Sequence, residues 1–237
     1  MSSRLLPPPI PEWVEPPNWA RIPIRECGQV LVTLPSDTAW NLLCRPFYAE
    51  AGIPGATSAI LVRARVAEML FAVADSLRPQ GACLVVFDGY RPLAVQRFLH
   101  DSFRAELTAR HPEFTEAELS RELGRYVASP NADPACPPPH RTGGAVDVFL
   151  VSADTGKPLP MGTEPDAAVP ESATRFYEAA DPSLIAVNRR LLFHAMQDSG
   201  FRNYHGEWWH FDFGNQRWAN LNGAETAIYG QADPADG

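Results

Sequence analysis

The stretch from Pro137 to Asp147 constrains the fold more than any other part of the chain. Residues 129–143 contain five prolines and no periodic pattern, so this segment is a loop and not a helix. The next residues, Ala145–Leu150, predict a strand in which Asp147 is the only carboxylate. A buried charge must be paired or must bind a metal, because leaving it free is very costly. The loop can fold His140 back onto Asp147, and from this spacing a metal site and a carboxylate held by arginine or backbone amides are equally open.

A second motif, Glu207-Trp208-Trp209-His210, supplies two more groups of the kind that metal sites use. In a regular strand Glu207 and His210 would point to opposite faces. A turn or bulge near Gly206 would bring both to one metal, and glycine permits it. The alternative is that the two tryptophans are core residues and that His210 is a satisfied core histidine. One aspartate, one histidine and a Glu-x-x-His together favour a metal.

Two other side chains are rival metal ligands. His205 precedes Glu207, but Gly206 shifts the spacing away from the His-Glu-x-x-His motif of the zincins. Cys136 precedes His140 by four residues, and three prolines stiffen the chain between them. We expect both rivals to be structural.

Arg91 follows a short apolar run, Ala82–Phe87, which predicts a buried strand. Its place between Tyr90 and Pro92, just after the strand, suits a side chain that holds a developing oxyanion. The alternative is a salt bridge to Asp88 across the turn, and Asp88 can orient Arg91 in either case.

The remaining pattern predicts an α+β fold, because strands and helices do not alternate as regular βαβ units. We predict strands at 29–34, 82–87, 144–151 and 208–213. We predict helices at 58–77, 92–107, 115–127 (opened by a Thr115–Glu118 capping box) and 181–200 (with Asp181 as N-cap). Residues 152–180 form a long excursion, and excursions of this length are usually functional or mobile. The chain divides into a proline-rich arm packed on the domain (1–27), the domain itself (28–229) and a frayed tail (230–237).

Composition limits the class of protein. A length of 237 residues suits one domain, and 45% hydrophobic with 20% charged residues is ordinary for a globular protein. The net charge of −8 argues against nucleic-acid and membrane partners. The N-terminus lacks the apolar segment of a signal peptide, and no apolar run approaches a membrane span. We therefore expect a cytoplasmic protein with four free cysteines, and no oligomeric state follows from the pattern.

These motifs resemble those of the D-alanyl-D-alanine dipeptidases of the VanX type, which are zinc peptidases related to D-Ala-D-Ala carboxypeptidases and the hedgehog domain. The family pattern Ser-x-His-x-x-Gly-x-x-x-Asp occurs from Pro138 to Asp147, while Glu207–His210 and Asp88–Pro92 match intact and in the family's order. The segment Met161-Gly162-Thr163, together with Asp166 and Asn41, is also similar. The resemblance implies a single hedgehog/DD-peptidase-like domain with a central, mostly antiparallel sheet and flanking helices.

The resemblance also implies roles for individual residues. One zinc ion per chain would be bound by His140, Asp147 and His210. Glu207 would be the general base that takes a proton from zinc-bound water and passes it to the leaving amine, and Arg91 would hold the oxyanion. Asp166 would pair with the ammonium of a small dipeptide substrate, with Tyr90 and Asp88 as further substrate-binding candidates. The implied reaction is hydrolysis of D-Ala-D-Ala or a closely related D,D-dipeptide.

One departure from the family pattern concerns specificity. Pro138 stands where the family has serine, and proline offers neither a hydroxyl nor an N–H. The zinc chemistry does not depend on that serine, but any hydrogen bond that the serine makes to the substrate is absent here, so the dipeptide specificity does not follow from the resemblance. Two alternatives stay open: a D,D-carboxypeptidase or endopeptidase acting on peptidoglycan stem peptides, and a non-catalytic zinc-stabilised binding module. Glu207 and Arg91 argue against the second, since a structural zinc site needs neither.

Overall fold

Strands and helices are mixed along the chain in the computed structural model, which describes residues 6–14, 16–179 and 182–234. The strands are β1 (Leu31–Thr33), β2 (Leu42–Cys44), β3 (Leu61–Arg63), β4 (Ala82–Asp88), β5 (Ala145–Ser152), β6 (Arg202–Asn203) and β7 (His210–Asp212). The α-helices are α1 (Phe47–Glu50), α2 (Ala64–Leu77), α3 (Leu93–Arg110), α4 (Glu116–Leu123), α5 (Leu184–Asp198) and α6 (Gln216–Leu221). Among the described residues, none of the helices has the length and apolar character that a membrane crossing requires.

A five-stranded sheet with the order β2-β4-β5-β7-β6 forms the centre of the molecule. Only β2 and β4 run parallel, and the other three neighbouring pairs are antiparallel. A separate two-stranded ribbon pairs β1 with β3. The expected α+β class and the mostly antiparallel central sheet of a single domain are confirmed.

The two central strands are buried because their sequences are almost wholly apolar. All seven residues of β4 are buried, and so are the first seven of β5. Helix α2 packs against β4 and α5, and its buried residues recur at helical spacing: Val66, Ala67, Met69, Leu70, Val73, Ala74 and Leu77. The sheet is therefore a rigid support for the polar side chains that it carries.

Several predicted boundaries were wrong. The helix predicted from residue 58 begins at Ala64, because Leu61–Arg63 pairs with β1 and tertiary pairing overrides the helical pattern there. The capping box at Thr115 is present, but its helix ends at Leu123 and not near residue 127. The strand predicted at 208–213 is limited to His210–Asp212.

The start of α5 also differs from the expectation. Asp181, predicted as the N-cap, lies outside the described residues. The side chain of Ser183 caps the helix instead, accepting a hydrogen bond from the Ala186 N–H at 3.2 Å.

Segments from both ends of the chain lie against this domain. In the N-terminal segment, the Ile10 side chain is buried and the N–H of Arg25 donates to the Ala227 carbonyl at 2.8 Å. In the C-terminal segment, the N–H of Gly230 donates to the Glu26 carboxylate at 2.7 Å and the N–H of Ala232 donates to the Arg141 carbonyl at 2.9 Å. The described part of the tail, 230–234, is thus held by hydrogen bonds and is not frayed as expected, while 235–237 lie outside the described residues.

Candidate active site

Three adjacent strands bring polar side chains to one point of the sheet. Asp147 of β5 pairs with Asp88 of β4 on one side and with His210 of β7 on the other. The β4–β5 ladder shifts register by one residue at Phe87, which is a β-bulge. The bulge sets Asp88 beside Asp147, where the Asp88–Pro92 motif leaves the sheet.

His140 reaches the same point from a single 3-10 turn, Pro139–Thr142. Gly143 ends this turn in the left-handed region, with φ of +70°. Gly144 lies so close to the carbonyl oxygen of Phe213 that a Cβ there would clash with it. The loop therefore folds back onto the strand that it enters, as the sequence allowed.

The donor atoms of His140, Asp147 and His210 all lie within 4.8 Å of one another. His140 Nε2 is 3.1 Å from His210 Nδ1 and 3.3 Å from Asp147 Oδ2, and His210 Nδ1 is 2.9 Å from Asp147 Oδ1. All three side chains are buried. Within the described ranges, this is the only group of three or more potential ligands that converges in this way.

Each histidine is oriented by an acceptor on its other ring nitrogen. His140 Nδ1 lies 2.9 Å from the Gly89 carbonyl oxygen and 3.2 Å from Asp88 Oδ2. His210 Nε2 lies 3.2 Å from Asp212 Oδ1. Metal-binding histidines usually donate their second N–H in this way, which leaves one nitrogen of each ring for the metal. Two imidazoles and one carboxylate fit a catalytic zinc site, which keeps its fourth position open.

The electrostatics favour a positive charge at this point. Burial raises the pKa of Asp147, but the charges of His140 and His210 outweigh it and hold that pKa well below its usual range. Although burial opposes it, the carboxylates of Asp212 and Asp147 raise the pKa of His210 to about 10. A divalent cation brings the charge that these carboxylates favour.

Glu207 is placed beside this group by the turn that joins β6 to β7. Its N–H donates to the Tyr204 carbonyl at 3.1 Å, and Asn203 Nδ2 donates to the carbonyls of Glu207 and His210 at 3.0 and 2.9 Å. Glu207 Oε2 lies 3.9 Å from His210 Nδ1. The turn expected near Gly206 is confirmed, and it takes Glu207 out of the strand's alternation.

Burial raises the pKa of Glu207 to about 8, and the nearby charges of Asp147 and Asp166 act in the same direction. A carboxyl group with such a pKa can accept and release a proton near neutral pH.

The guanidinium of Arg91 is fixed from several sides. Its Nε donates to Asp88 Oδ2 at 2.8 Å and its Nη1 to Gln96 Oε1 at 2.9 Å. Its Nη2 donates to the Tyr48 hydroxyl at 3.0 Å and to Asp147 Oδ2 at 3.3 Å. The salt bridge to Asp88 that the sequence offered as an alternative is present, and Arg91 also contacts a candidate metal ligand.

Asp166 comes from the long excursion after β5 and has φ of +60°, a conformation that is uncommon for residues other than glycine. The Tyr48 hydroxyl donates to Asp166 Oδ2 at 2.9 Å. Burial, together with the charge of Asp147, raises the pKa of Asp166 to about 6.

A cavity of about 530 Å³ joins these groups. Its lining includes the three candidate ligands, Glu207, Arg91 and Asp166. Pro138, at the position of the family's serine, lines it as well. His205 and Cys136 border the cavity without belonging to the converging ligand group.

Two of the expected substrate-binding residues do not line this cavity. The Tyr90 hydroxyl accepts a hydrogen bond from Arg141, and its backbone N–H donates to the Leu61 carbonyl at 2.6 Å. The Asp88 carboxylate contacts Arg91 and His140, so its contacts are those of a supporting residue. Asn41 is also away from the cavity lining, and its amide bridges the carbonyls of Ala74 and Ala82.

The sequence motifs do not include three polar residues of the site: Tyr48, Gln96 and Asp212. The spacing His210-x-Asp212 within one strand puts both side chains on one face, so Asp212 could have been found from the pattern. Tyr48 and Gln96 offered no local signal, because their partners are supplied by tertiary contacts.

Comparison with known proteins gives a consistent family. The model of the peptidase M15 family, described as D-Ala-D-Ala dipeptidase, matches residues 50–225. A D-alanyl-D-alanine dipeptidase of Synechocystis sp. is 34% identical over 220 residues, covering 84% of this chain and 87% of that protein. One from Enterococcus faecium is 33% identical over 162 residues, covering 65% of this chain and 74% of that protein.

Two solved structures are also similar to the chain. VanYB in complex with D-alanine-D-alanine has 19% identity and a TM-score of 0.46, covering 71% of this chain and 81% of that one. A D,D-pentapeptidase VanY in complex with Zn(II) has 16% identity and a TM-score of 0.46, covering 87% and 96%. The family match and the identity to curated relatives, taken together, establish that this chain belongs to the D-Ala-D-Ala dipeptidase family and is a metallopeptidase.

Proposed function

We propose that this enzyme hydrolyses the peptide bond of D-alanyl-D-alanine, or of a closely related D,D-dipeptide, with one zinc ion. The observation that supports this most is the convergence of His140, Asp147 and His210 in a cavity that also holds Glu207 and Arg91. His140 Nε2, His210 Nδ1 and the Asp147 carboxylate would hold the ion. When bound, zinc supplies Lewis acidity, which lowers the pKa of a water and polarises the peptide carbonyl.

Glu207 acts as the general base in this proposal. It takes a proton from the attacking water and later gives it to the leaving amine, so that one carboxylate serves both proton transfers. Its raised pKa and its 3.9 Å distance from His210 Nδ1 support that role.

Arg91 stabilises the negative charge that develops on the carbonyl oxygen. Its hydrogen bonds to Asp88, Gln96 and Tyr48 fix the guanidinium before the substrate arrives. A preorganised donor of this kind is typically worth about 2.7–4 kcal/mol in the transition state.

Asp166 binds the free ammonium of the dipeptide. It lies in the same cavity as Glu207, and the Tyr48 hydroxyl orients its carboxylate. A peptide whose N-terminus is acylated would place an uncharged group against this carboxylate, which would then be left buried without a counter-charge. The site therefore prefers free dipeptides to longer or blocked peptides.

The substrate is tested by measuring amine release from D-Ala-D-Ala, L-Ala-L-Ala and N-acetyl-D-Ala-D-Ala. We expect the free D,D-dipeptide to be cleaved with a kcat/KM at least about tenfold above that of the acetylated peptide. Faster cleavage of the acetylated peptide would favour the D,D-carboxypeptidase alternative. Failure to cleave any of the three would contradict the proposal.

The cytoplasmic location expected from the sequence stays a prediction, which cell fractionation would test.

A further inference from the structure

Arg189 of α5 is a buried arginine that contacts carbonyl oxygens instead of a carboxylate. It is 2% exposed, and among the described residues no acidic side chain pairs with it. Its Nε donates to the Met161 carbonyl at 2.7 Å, its Nη1 to Ala173 at 2.7 Å and its Nη2 to Glu171 at 2.8 Å. Burial lowers its pKa to about 10. Burying a charge is costly unless hydrogen bonds compensate for it, and here the three shortest bonds go to one loop, while a longer one, from Nη1 to the Thr174 carbonyl at 3.5 Å, goes to the residue just after it.

The three carbonyls stand on both sides of Asp166 in the sequence. Met161 precedes it by five residues, while Glu171 and Ala173 follow it. Arg189 therefore joins the two ends of a loop, 161–173, whose interior includes Asp166 at φ of +60°. An uncommon backbone conformation persists only where its surroundings determine it, and the hydrogen bonds from Arg189 to both ends of the loop are one such constraint.

The same arginine also contacts the residue next to Glu207. Its guanidinium carbon lies 5.7 Å from the centre of the Trp208 ring and 4.9 Å from that of Tyr177. Trp208 is tied to the loop by its own bonds, from its N–H to the Ser172 carbonyl at 3.0 Å and from Nε1 to Thr163 Oγ1 at 2.8 Å. The loop that carries Asp166 and the turn that carries Glu207 thus meet at Arg189.

We propose that Arg189 is a positioning residue that holds Asp166 at the place where the substrate's ammonium binds, in a fixed relation to Glu207. This role rests on the proposed function, since it requires Asp166 to be the ammonium partner. The planar fork of arginine donates to three carbonyls in different directions, and the compact ammonium of a lysine does not reproduce that geometry.

The test compares Arg189→Met and Arg189→Lys with Arg190→Met. Arg190 is the matched control because it is also a buried arginine of α5, but it pairs with the Glu178 carboxylate outside the 161–173 loop. Removing either arginine is expected to destabilise the fold, so stability alone does not separate them. If Arg189→Met does not fold, Arg189→Lys retains the charge and most of the length of the side chain and carries the test.

Two substrates separate positioning from general damage. D-Ala-D-Ala carries the ammonium, and propionyl-D-alanine differs from it only by lacking that group. We expect both Arg189 variants to lower the ratio of kcat/KM for the two substrates at least about tenfold, mainly through a higher KM for D-Ala-D-Ala. In Arg190→Met the ratio should change less than about threefold. Amide hydrogen exchange in 161–173 should be faster in the Arg189 variants than in Arg190→Met.

An unchanged substrate ratio in both Arg189 variants would overturn the positioning role, even if exchange in the loop were faster. A wild-type ratio in Arg189→Lys would also overturn it, because charge and not the three-way geometry would then be sufficient. A wild-type enzyme that hydrolyses neither substrate would instead refute the proposed function, and this is measured before any variant.

Discussion

The role proposed for Asp166 would make substrate binding depend on pH. Its pKa is raised from 3.8 to about 6 by burial and by the charge of Asp147, so the carboxyl group becomes neutral below that pH. A neutral carboxyl group does not attract an ammonium ion. We expect the KM for D-Ala-D-Ala to rise as the pH falls through about 6, whereas Asp166→Asn should have a high KM without this dependence. A wild-type KM that stays constant from about pH 7.5 to about pH 5 would contradict the role of Asp166.

The sequence identified most of the residues that converge at the site, because each stands in a short motif with a distinctive chemistry. His140 and Asp147 flank the Gly-Gly turn, and Glu207 and His210 share one tetrapeptide. Tyr48 could not be identified in the same way. Its hydroxyl contacts Arg91, 43 positions away in the chain, and Asp166, 118 positions away, and no local pattern encodes such contacts.

The hairpin of β6 and β7 is the element that sets Glu207 relative to His210. Asn203 controls its shape, because one side-chain amide donates to the carbonyls of both residues. Asn203→Asp replaces that donor with an acceptor that faces two carbonyl oxygens. We expect the free energy of unfolding to fall by about 1–3 kcal/mol and kcat to decrease, measured by urea denaturation and by steady-state kinetics.

Asn220→Asp is the matched control for this hairpin. The Asn220 amide also donates to a carbonyl, that of Pro16 at 2.7 Å, but the bond is exposed to solvent. We expect a change in stability within about 0.5 kcal/mol and an unchanged kcat. Equal losses in the two variants would show that the Asn203 bonds do not shape the hairpin.

The sequence pattern was sufficient to predict a helix or strand where the segment is long or carries a local signal. Strand β4 followed from its continuous apolar run and α4 from its capping box. Strand β3 was missed because Leu61–Arg63 is extended only through its pairing with β1. The alternating pattern after Glu207 predicts a strand that includes both tryptophans, whereas they lie in the turn that brings Glu207 to the site.

For the whole molecule, the charges at the site link folding to pH. Glu207 has its pKa raised from 4.5 to about 8, so the folded state binds more protons in that range and stability falls as pH rises through it. His210 has its pKa raised from 6.5 to about 10, and its stabilising contribution is likewise lost as pH rises through that range. Both effects lower the free energy of unfolding as the pH rises above neutral.

We therefore expect chelator-treated protein to lose about 2 kcal/mol or more between about pH 6 and about pH 9, which is about 4–8 °C in Tm. Zinc-loaded protein should lose less, since the ion takes the place of the proton that His210 would otherwise hold. Differential scanning calorimetry of both forms across this range is the measurement. If Tm depended on pH in the same way in both forms, that result would contradict a metal at this site. A weaker dependence of Tm on pH in chelator-treated Glu207→Gln would show how much of the effect comes from Glu207.

We infer that one metal ion held by His140, Asp147 and His210 enables this chain to hydrolyse D-Ala-D-Ala with Glu207 as base. The most direct test is to titrate zinc into chelator-treated wild type and Glu207→Gln while following D-alanine release and bound metal. We predict that wild-type turnover rises until one zinc is bound per chain, and that Glu207→Gln binds the same zinc but turns over at least about 100-fold more slowly. Full turnover without metal, or a wild-type rate in Glu207→Gln, would contradict the account.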